Sequence, residues 1–154
     1  MSAETFTTAM FLITAVIAAG VLINAVFPVV YTMAGTFQSA THESDQRLRT
    51  DFKIVTTFAN STTANVWMKN IGSQRIPNSD ILRSDVFCGP SDHYGRVSDW
   101  TFTIFDLNGN NDWDPGETLQ ISVRPPSMPA KGNLVYFQFI LPDGIWRSIE
   151  FNVS

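Results

Sequence analysis

Residues 9–31 read AMFLITAVIAAGVLINAVFPVVY, and this apolar stretch decides the first part of the fold. It lies inside a longer run, residues 5–41, that contains no Asp, Glu, Lys or Arg. At about 1.5 Å of rise per residue, a helix of these 23 residues is roughly 34 Å long and exceeds the ~30 Å hydrocarbon core of a bilayer. We therefore predict a retained N-terminal helix that can span a membrane and that continues as a polar stalk to about Arg49.

The signals for processing and orientation are weaker than the signal for the helix itself. A cleaved secretory peptide fits poorly, because no Lys or Arg precedes the apolar run and the run exceeds the usual ~7–15 residues. Arg47, Arg49 and Lys53 follow the helix, which by the positive-inside rule alone would place the remaining chain in the cytoplasm. Two glycosylation sequons, at Asn60 and Asn152, favour export instead, and a large folded domain can override the charge rule.

Small and polar residues within the apolar helix suggest contact with another helix. Ala15 and Ala19 lie four residues apart and would let two helices approach closely, and the amide of Asn24 would gain from a partner in lipid. An ordinary anchor that tolerates these residues is the alternative. Pro28 has no N–H group, so a kink is expected near Asn24.

From residue 51 onward the apolar pattern changes to a period of two, with short β-branched and aromatic segments. Pro142-Asp143-Gly144 separates the last two segments and predicts a hairpin. We predict a helix and stalk over 1–50 and, over 51–154, an immunoglobulin-like β-sandwich of about seven strands. The predicted strands cover residues 52–58, 64–69, 81–87, 100–105, 118–123, 134–141 and 145–153. The aromatic residues expected in its core are Phe52, Trp67, Phe102, Phe105, Phe137, Phe139 and Trp146.

An acidic loop separates two of the predicted strands, and its spacing suits calcium. An EF-type loop supplies oxygen ligands from positions 1, 3, 5, 7, 9 and 12. Position 6 holds Asn111 in place of glycine, and asparagine is the next most tolerant residue for positive φ. A solvated loop that uses Asn, Gly and Asp for their turn conformations is the open alternative, since no helices are predicted to flank it. The candidate calcium ligands are Asp106, Asn108, Asn110, Asp112, Asp114 and Glu117.

Composition argues against several classes of function. The net charge is −4, the pI is near 4.9 and no basic run is present, so the chain lacks the clustered Lys and Arg that bind nucleic acid. A nucleophile needs a base within hydrogen-bond reach, and the predicted sandwich offers only His93, which follows a Gly-Pro turn. Cys88 ends an apolar strand and is expected to be a buried small hydrophobe. We therefore predict no catalytic residues, no enzyme activity and no cofactor beyond possible calcium.

Several segments together resemble one protein family along nearly the whole chain. They are Ser2-Ala-Glu-Thr, Leu22-Ile-Asn-Ala-Val-Phe-Pro, Arg49-Thr-Asp-Phe-Lys-Ile-Val, Val66-Trp-Met-Lys-Asn-Ile-Gly, Trp113-Asp-Pro-Gly-Glu-Thr-Leu, Val135-Tyr-Phe-Gln-Phe and Leu141-Pro-Asp-Gly-Ile-Trp-Arg. This order is similar to the FlaG (ArlG) family of archaellum accessory proteins. The resemblance implies an archaeal envelope protein with a membrane helix and an extracytoplasmic β-sandwich.

Members of that family are taken to belong to the stator that fixes the archaellum motor to the envelope. The resemblance therefore also implies a sister protein, FlaF, as partner, the S-layer as an indirect one, and self-assembly. A pilin-like filament subunit, with helices in the core and sandwiches outside, is the alternative. The two differ in what surrounds residues 9–31, which is lipid for an anchor and other copies of the helix for a filament.

Overall fold

A computed structural model describes residues 2–154 as two compact units, one that ends at Ser44 and one that covers Asp45–Ser154. Helix α1 spans Ala3–Arg49, as predicted, and continues through Pro28 without interruption. None of its described side chains is buried, and it is long and apolar enough to cross a membrane. Its large apolar side chains are therefore exposed along the described residues 3–49.

The second unit is a sandwich of two antiparallel four-stranded sheets. One sheet has the order β1-β2-β6-β5 and the other the order β4-β3-β7-β8. This is the arrangement of immunoglobulin domains with one added edge strand, which confirms the predicted fold class. The elements are β1 (Phe52–Ala59), β2 (Ala64–Asn70), α2 (Asn78–Leu82), β3 (Asp85–Pro90), β4 (Gly95–Arg96), β5 (Trp100–Phe105), β6 (Thr118–Val123), β7 (Leu134–Ile140) and β8 (Trp146–Asn152).

The core lies between the sheets and follows the alternation of the strands. In β6 and β7 every second residue is buried, because successive side chains of a strand point to opposite faces. Each fully buried aliphatic or aromatic side chain contributes about 1.5–3 kcal/mol relative to an exposed one. The largest of the fully buried side chains are Trp113, Phe52, Phe137, Phe139, Met68, Ile81 and Leu119.

Two sequence expectations about the sandwich were wrong in detail. Residues 81–87 do not form one strand: α2 follows Pro77, the Ser84 hydroxyl donates to the Asp80 carbonyl at 2.7 Å, and β3 starts at Asp85. The proline and the polar residues after it favour a short helical turn over an extended start. Phe105 and Trp146 are 48% and 51% exposed, so they are not core residues. Trp67 is not one either, because the alternation of β2 buries Val66 and Met68 and places Trp67 on the opposite face.

One long side of the sandwich is closed by contacts between the edges of β1 and β8. Arg147 of β8 forms an ion pair with Asp51, just before β1, and its guanidinium lies 5.9 Å from the ring centre of Phe52. The Ser154 N–H donates to the Ala59 carbonyl at 2.9 Å at the other end of the same pair of edges. These two edges therefore shield each other.

Candidate functional site

The loop between β5 and β6 is organised around the carboxylate of Asp106. Its Oδ1 accepts the backbone N–H groups of Asn108 and Gly109 at 2.9 and 2.8 Å, and its Oδ2 accepts that of Asn111 at 2.7 Å. These bonds, led by those from Asn111 and Asn108, hold the pKa of the Asp106 carboxyl below its ordinary value of 3.8. Asn111 has φ 62° and is the one non-glycine residue of the described chain, 2–154, with positive φ. Asparagine therefore makes the turn that an EF-type loop assigns to glycine.

The carboxylate of Asp114 accepts hydrogen bonds from a second set of donors, which are side chains. The side-chain amides of Asn108 and Asn110 each donate to its Oδ2 at 2.6 Å, and Arg75 Nε donates to its Oδ1 at 3.1 Å. These amides first, and then Arg75, hold the pKa of the Asp114 carboxyl below its ordinary value. Arg75 also reaches Asp112 Oδ2 at 3.4 Å. Arg75 is therefore the cation of this acidic loop, and sequence reasoning missed it.

Glu117 is the buried residue that joins the two halves of the loop. Its carboxylate is only 4% exposed and accepts the N–H groups of Leu107 at 2.9 Å and of Asp114 at 3.0 Å, one from each half of the loop. Trp113 is fully buried, donates its indole N–H to the Glu117 carbonyl at 3.0 Å, and has its ring centre 5.7 Å from that of Phe52. The loop is thereby attached to the core of the sandwich.

The structure brings all six predicted calcium ligands into one loop, with their oxygens already engaged. The Oδ1 atoms of Asn108 and Asn110 accept the N–H groups of Asn110 and Asp112 at 3.0 and 2.8 Å, and their amide nitrogens face Asp114. Within residues 2–154, no three Asp, Glu, His or Cys side chains form a cluster that could hold a metal ion. This donor set fits the hydrogen-bonded alternative, and calcium binding stays a prediction.

The hydrogen bonds of the loop predict an acid-sensitive structure. Because the folded pKa values of Asp106 and Asp114 lie below their unfolded value of 3.8, their stabilising contribution is complete above that value. It is lost as the pH falls through the folded pKa values. We expect hydrogen-exchange protection of the Asn111 amide, corrected for the intrinsic rate, to hold at about pH 5 and to fall towards about pH 2. Asp106→Asn should flatten this dependence, and equal profiles for both proteins would contradict the assignment.

Asn70, at the end of β2, connects this loop to the segment that follows it. Its side chain is 1% exposed, and its amide nitrogen donates to the carbonyls of Gln74 and Trp113, both at 3.0 Å. Its Oδ1 accepts the Gly72 N–H at 3.0 Å, and its own carbonyl accepts the Gly116 N–H at 2.8 Å. A single buried amide therefore organises two chain segments, and no local pattern in the sequence predicts this role.

The segment after β2 also holds the last turn of α1. The Arg49 carbonyl accepts the Ser73 N–H at 2.9 Å, and the Asp51 carbonyl accepts the N–H groups of Ile71 and Gly72 at 3.0 and 2.9 Å. A Cβ atom at Gly72 would lie 2.4 Å from the Arg49 carbonyl oxygen and 2.6 Å from the Asp51 nitrogen. Only glycine permits this approach, so the end of α1 is fixed to the sandwich through the backbone.

The predicted helix–helix face, Ala15, Ala19 and Asn24, is exposed along its whole length. The nearby Thr14 hydroxyl is satisfied within the helix, because it donates to the carbonyl four residues earlier at 2.8 Å. Asn24 differs, since its side chain has no hydrogen-bond partner among residues 2–154. Its carbonyl also lacks the usual donor four residues later, where Pro28 has no N–H. The side-chain amide of Asn24 and a carbonyl that lacks its usual donor therefore lie at one point of the apolar stretch.

The two predicted glycosylation candidates lie at one end of the sandwich. Asn60 is in the turn between β1 and β2, and its Oδ1 accepts the Thr62 N–H at 2.9 Å. Asn152 is exposed at the end of β8. The bond from Ser154 N–H to the Ala59 carbonyl brings these chain ends together. Their modification stays a prediction.

The two residues considered for nucleophilic chemistry lie in different surroundings. His93 is exposed in a turn, and its N–H donates to the Pro90 carbonyl at 2.9 Å. Cys88 is 1% exposed, and burial raises the pKa of its thiol to about 12. A thiol with that pKa is protonated at neutral pH and does not act as a nucleophile.

Comparison with known proteins places the chain among archaeal motility proteins. The profile of archaeal-type flagellins matches residues 3–151. An uncharacterized protein of Archaeoglobus fulgidus is 31% identical over 163 residues, which covers 99% of this chain and 99% of that protein.

Solved structures share the fold. The archaellum periplasmic stator protein FlaG from Sulfolobus acidocaldarius superposes with a TM-score of 0.54 at 22% identity, covering 66% of this chain and 99% of that one. A chain of the FlaF–FlaG periplasmic stator complex from the same organism gives the same TM-score over 65% of this chain and 87% of that chain. The archaeal flagellum of Methanospirillum hungatei gives a TM-score of 0.73 at 13% identity, covering 97% of this chain and 93% of that one. These matches agree with the FlaG resemblance of the sequence, and the profile match over residues 3–151 shows that the chain belongs to the archaeal-type flagellin family.

Proposed function

We propose that the protein is a structural component of the archaellum motor that acts as a stator or envelope anchor. Its helix α1 lies in the archaeal membrane and its β-sandwich lies outside the cytoplasm. The observation that carries the proposal is the junction at Gly72, where backbone hydrogen bonds from Ile71, Gly72 and Ser73 hold the end of α1 against the sandwich. Residues 45–49, the last turn of α1, thereby form one compact unit with the sandwich, which suits an anchor that is loaded at this end of the helix.

The partners follow from the neighbouring structures and are part of this proposal. FlaG of Sulfolobus acidocaldarius is solved in complex with FlaF, so we propose a FlaF-type sister sandwich as the direct partner. The S-layer would be reached indirectly, through that partner. Nucleic acid is not proposed, because the net charge is −4 without a basic cluster in the sequence. The proposal requires no reaction and no catalytic residue.

A filament subunit is the second candidate, and one observation favours it. The fold of a subunit from the Methanospirillum flagellum matches 97% of this chain, helix included. In a filament, the exposed apolar side chains of α1 would pack against copies of themselves. In an anchor, the same side chains would face lipid.

The two candidates differ in what happens when membranes are removed. We expect the full chain to stay in the membrane fraction after high-salt washing, to need detergent for release, and to give dispersed particles by negative-stain microscopy. We also expect the released protein to bind a purified FlaF-type sandwich. Regular fibres that persist without lipid or detergent would reject the anchor in favour of the filament.

Self-association through the helix is proposed at Ala15, Ala19 and Asn24. Asn24→Leu should weaken the homo-oligomer in detergent about threefold, because an interhelical hydrogen bond in a membrane contributes only ~0.6 kcal/mol on average. Ile23→Leu is the matched control, since it changes the adjacent residue without touching a polar group. Sedimentation equilibrium in detergent measures both. Equal dissociation constants for the two variants would remove Asn24 from the interface.

Calcium at the loop between β5 and β6 remains a separate proposal with a direct test. If the loop takes up the ion through Asp106, Asp114 and Glu117, the melting temperature of the full chain should rise with Ca²⁺ in the millimolar range. Asp114→Asn should then remove the calcium effect. An unchanged melting temperature in the wild-type protein would mean that Arg75 and the hydrogen bonds alone hold the loop.

A further inference from the structure

The sandwich has four edge strands, and three of them are protected against pairing with another chain. β1 carries Lys53 and a register irregularity between Ile54 and Thr56, and its edge faces β8. β8 itself carries charged residues. β4 is only two residues long and includes Arg96. Charges, bulges and short length are the usual means by which edge strands avoid pairing.

The fourth edge strand, β5, has none of these protections. Its sequence, WTFTIF, contains no charged residue and no proline, and its pairing with β6 is regular over all six residues. Phe105 at its end is 48% exposed, and Leu107 just beyond it is 87% exposed. Among residues 2–154, no hydrogen bond covers its outer edge. An uncharged edge with regular pairing and free backbone groups is a template for another strand.

The free backbone groups of β5 belong to its inward-facing residues. The Arg124 N–H donates to the Asp99 carbonyl at 2.9 Å, which makes this directly opposed pair a hydrogen-bonded one. Hydrogen-bonded pairs alternate along an antiparallel ladder. The N–H and C=O groups of Trp100, Phe102 and Ile104 therefore point away from β6, towards the open edge.

From this alternation we propose that β5 pairs antiparallel with β5 of a second copy of this chain, centred on Phe102. In that register Phe102 lies opposite Phe102 of the second copy, Trp100 lies opposite Ile104, and Thr101 lies opposite Thr103. Inward-facing residues meet inward-facing residues, so the two sheets continue into one sheet of eight strands. The three residues with free backbone groups are also the ones that hydrogen-bond across the new pair.

The side chains on both faces suit this register. Aromatic pairs and Thr–Thr pairs directly opposite each other are favourable in antiparallel sheets. No like charges oppose each other within the strand. The pairing does not depend on the stator role, because a stator and a filament subunit each contain this sandwich.

Cysteine pairs test the register in the full chain held in detergent. Thr101 and Thr103 are exposed. In the proposed dimer, Thr101 of one copy lies opposite Thr103 of the other in a non-hydrogen-bonded pair, where side chains are closest. We expect a mixture of the Thr101→Cys and Thr103→Cys proteins to form disulfide dimers under mild oxidation. Each protein alone should form at least about tenfold less. The native Cys88 is buried and does not interfere.

Other results of the same experiment would overturn the proposal. Association through the helix alone would bring copies together without fixing β5, and would give equal cross-linking in the single proteins and in the mixture. Absence of dimers in the mixture would show that β5 is not paired. Either result leaves the anchor proposal intact, because that rests on the membrane fraction and on FlaF binding.

Charge substitutions provide a second, independent measurement. Thr101→Lys with Thr103→Lys places two like-charge pairs across the dimer and should weaken it about tenfold. Thr101→Lys with Thr103→Glu places opposite charges in the same positions and should restore it. Thr56→Lys on the edge of β1 is the matched control and should leave the dissociation constant unchanged. Equal dissociation constants for the two double variants, at unchanged melting temperature, would reject the register.

Discussion

Trp113→Ala is expected to lower the free energy of unfolding of the sandwich by about 3–5 kcal/mol. Trp113 is fully buried, and its indole ring packs against Phe52 in the core. Its removal leaves a cavity and removes the indole N–H that the Glu117 carbonyl accepts at 3.0 Å, although that carbonyl keeps the N–H of Asn70. A loss of this size is a large part of the 5–15 kcal/mol that stabilises a typical domain.

Urea denaturation of the full chain in detergent, followed by the circular dichroism of the strands, measures this change. Trp146→Ala is the matched control, because Trp146 is 51% exposed and its removal should change the free energy by no more than about 0.5 kcal/mol. Phe52→Ala should resemble Trp113→Ala. Equal stability of the Trp113 and Trp146 variants would mean that the loop between β5 and β6 does not anchor in the core.

The order of the main elements could be predicted from the sequence because each has a strong local pattern. The uncharged run, residues 5–41, predicted a helix that continues to about Arg49, where α1 ends, and alternation predicted β5 and β6 with their observed bounds. The acidic loop was found by its spacing, since Asp106 and Glu117 bracket one continuous segment. Patterns of this kind depend only on neighbours in the chain.

The features that were missed depend on residues distant in sequence. Arg75 lies more than thirty positions before the carboxylates that it neutralises, and nothing local marks it as their partner. In the sequence Asn70 resembles an ordinary strand residue, and its role depends on hydrogen bonds with Trp113 and Gly72, of which Trp113 is distant in sequence. The exposure of Phe105 follows from which face of β5 meets the core, and the open edge of β5 follows from the strand order. Both require the assembled sheets.

The junction at Gly72 lies outside the acidic loop, requires glycine because two backbone segments approach closely there, and bears on function. The last turn of α1, β1 and the segment after β2 meet there through backbone groups, with no side chain between them. Two of the segments that carry the FlaG resemblance, residues 49–55 and 66–72, supply these groups together with the N–H of Ser73. In an anchor or a filament subunit alike, this contact fixes the last turn of α1, residues 45–49, within the unit that contains the sandwich.

Gly72→Ala should therefore destabilise the junction by about 3 kcal/mol or more, because a Cβ would stand 2.4 Å from the Arg49 carbonyl oxygen and would force the backbone apart. The Ser73 N–H bond to Arg49 would lengthen or break as a result. Hydrogen exchange at the Ser73 amide, together with the free energy of unfolding, measures the two effects. We expect faster exchange at Ser73 than the global loss of stability alone explains.

Gly95→Ala is the matched control for this substitution. A Cβ at Gly95 would meet no atom within 4 Å, and its φ is not positive, so the change should stay within about 0.5 kcal/mol. If the two variants unfold at the same denaturant concentration with equal Ser73 exchange, the end of α1 is not held by the close approach at Gly72. An effect of Gly72→Ala that Gly95→Ala does not show would mean that backbone hydrogen bonds at Gly72 hold the end of α1. These bonds form only because glycine has no Cβ, since no larger residue leaves room for them.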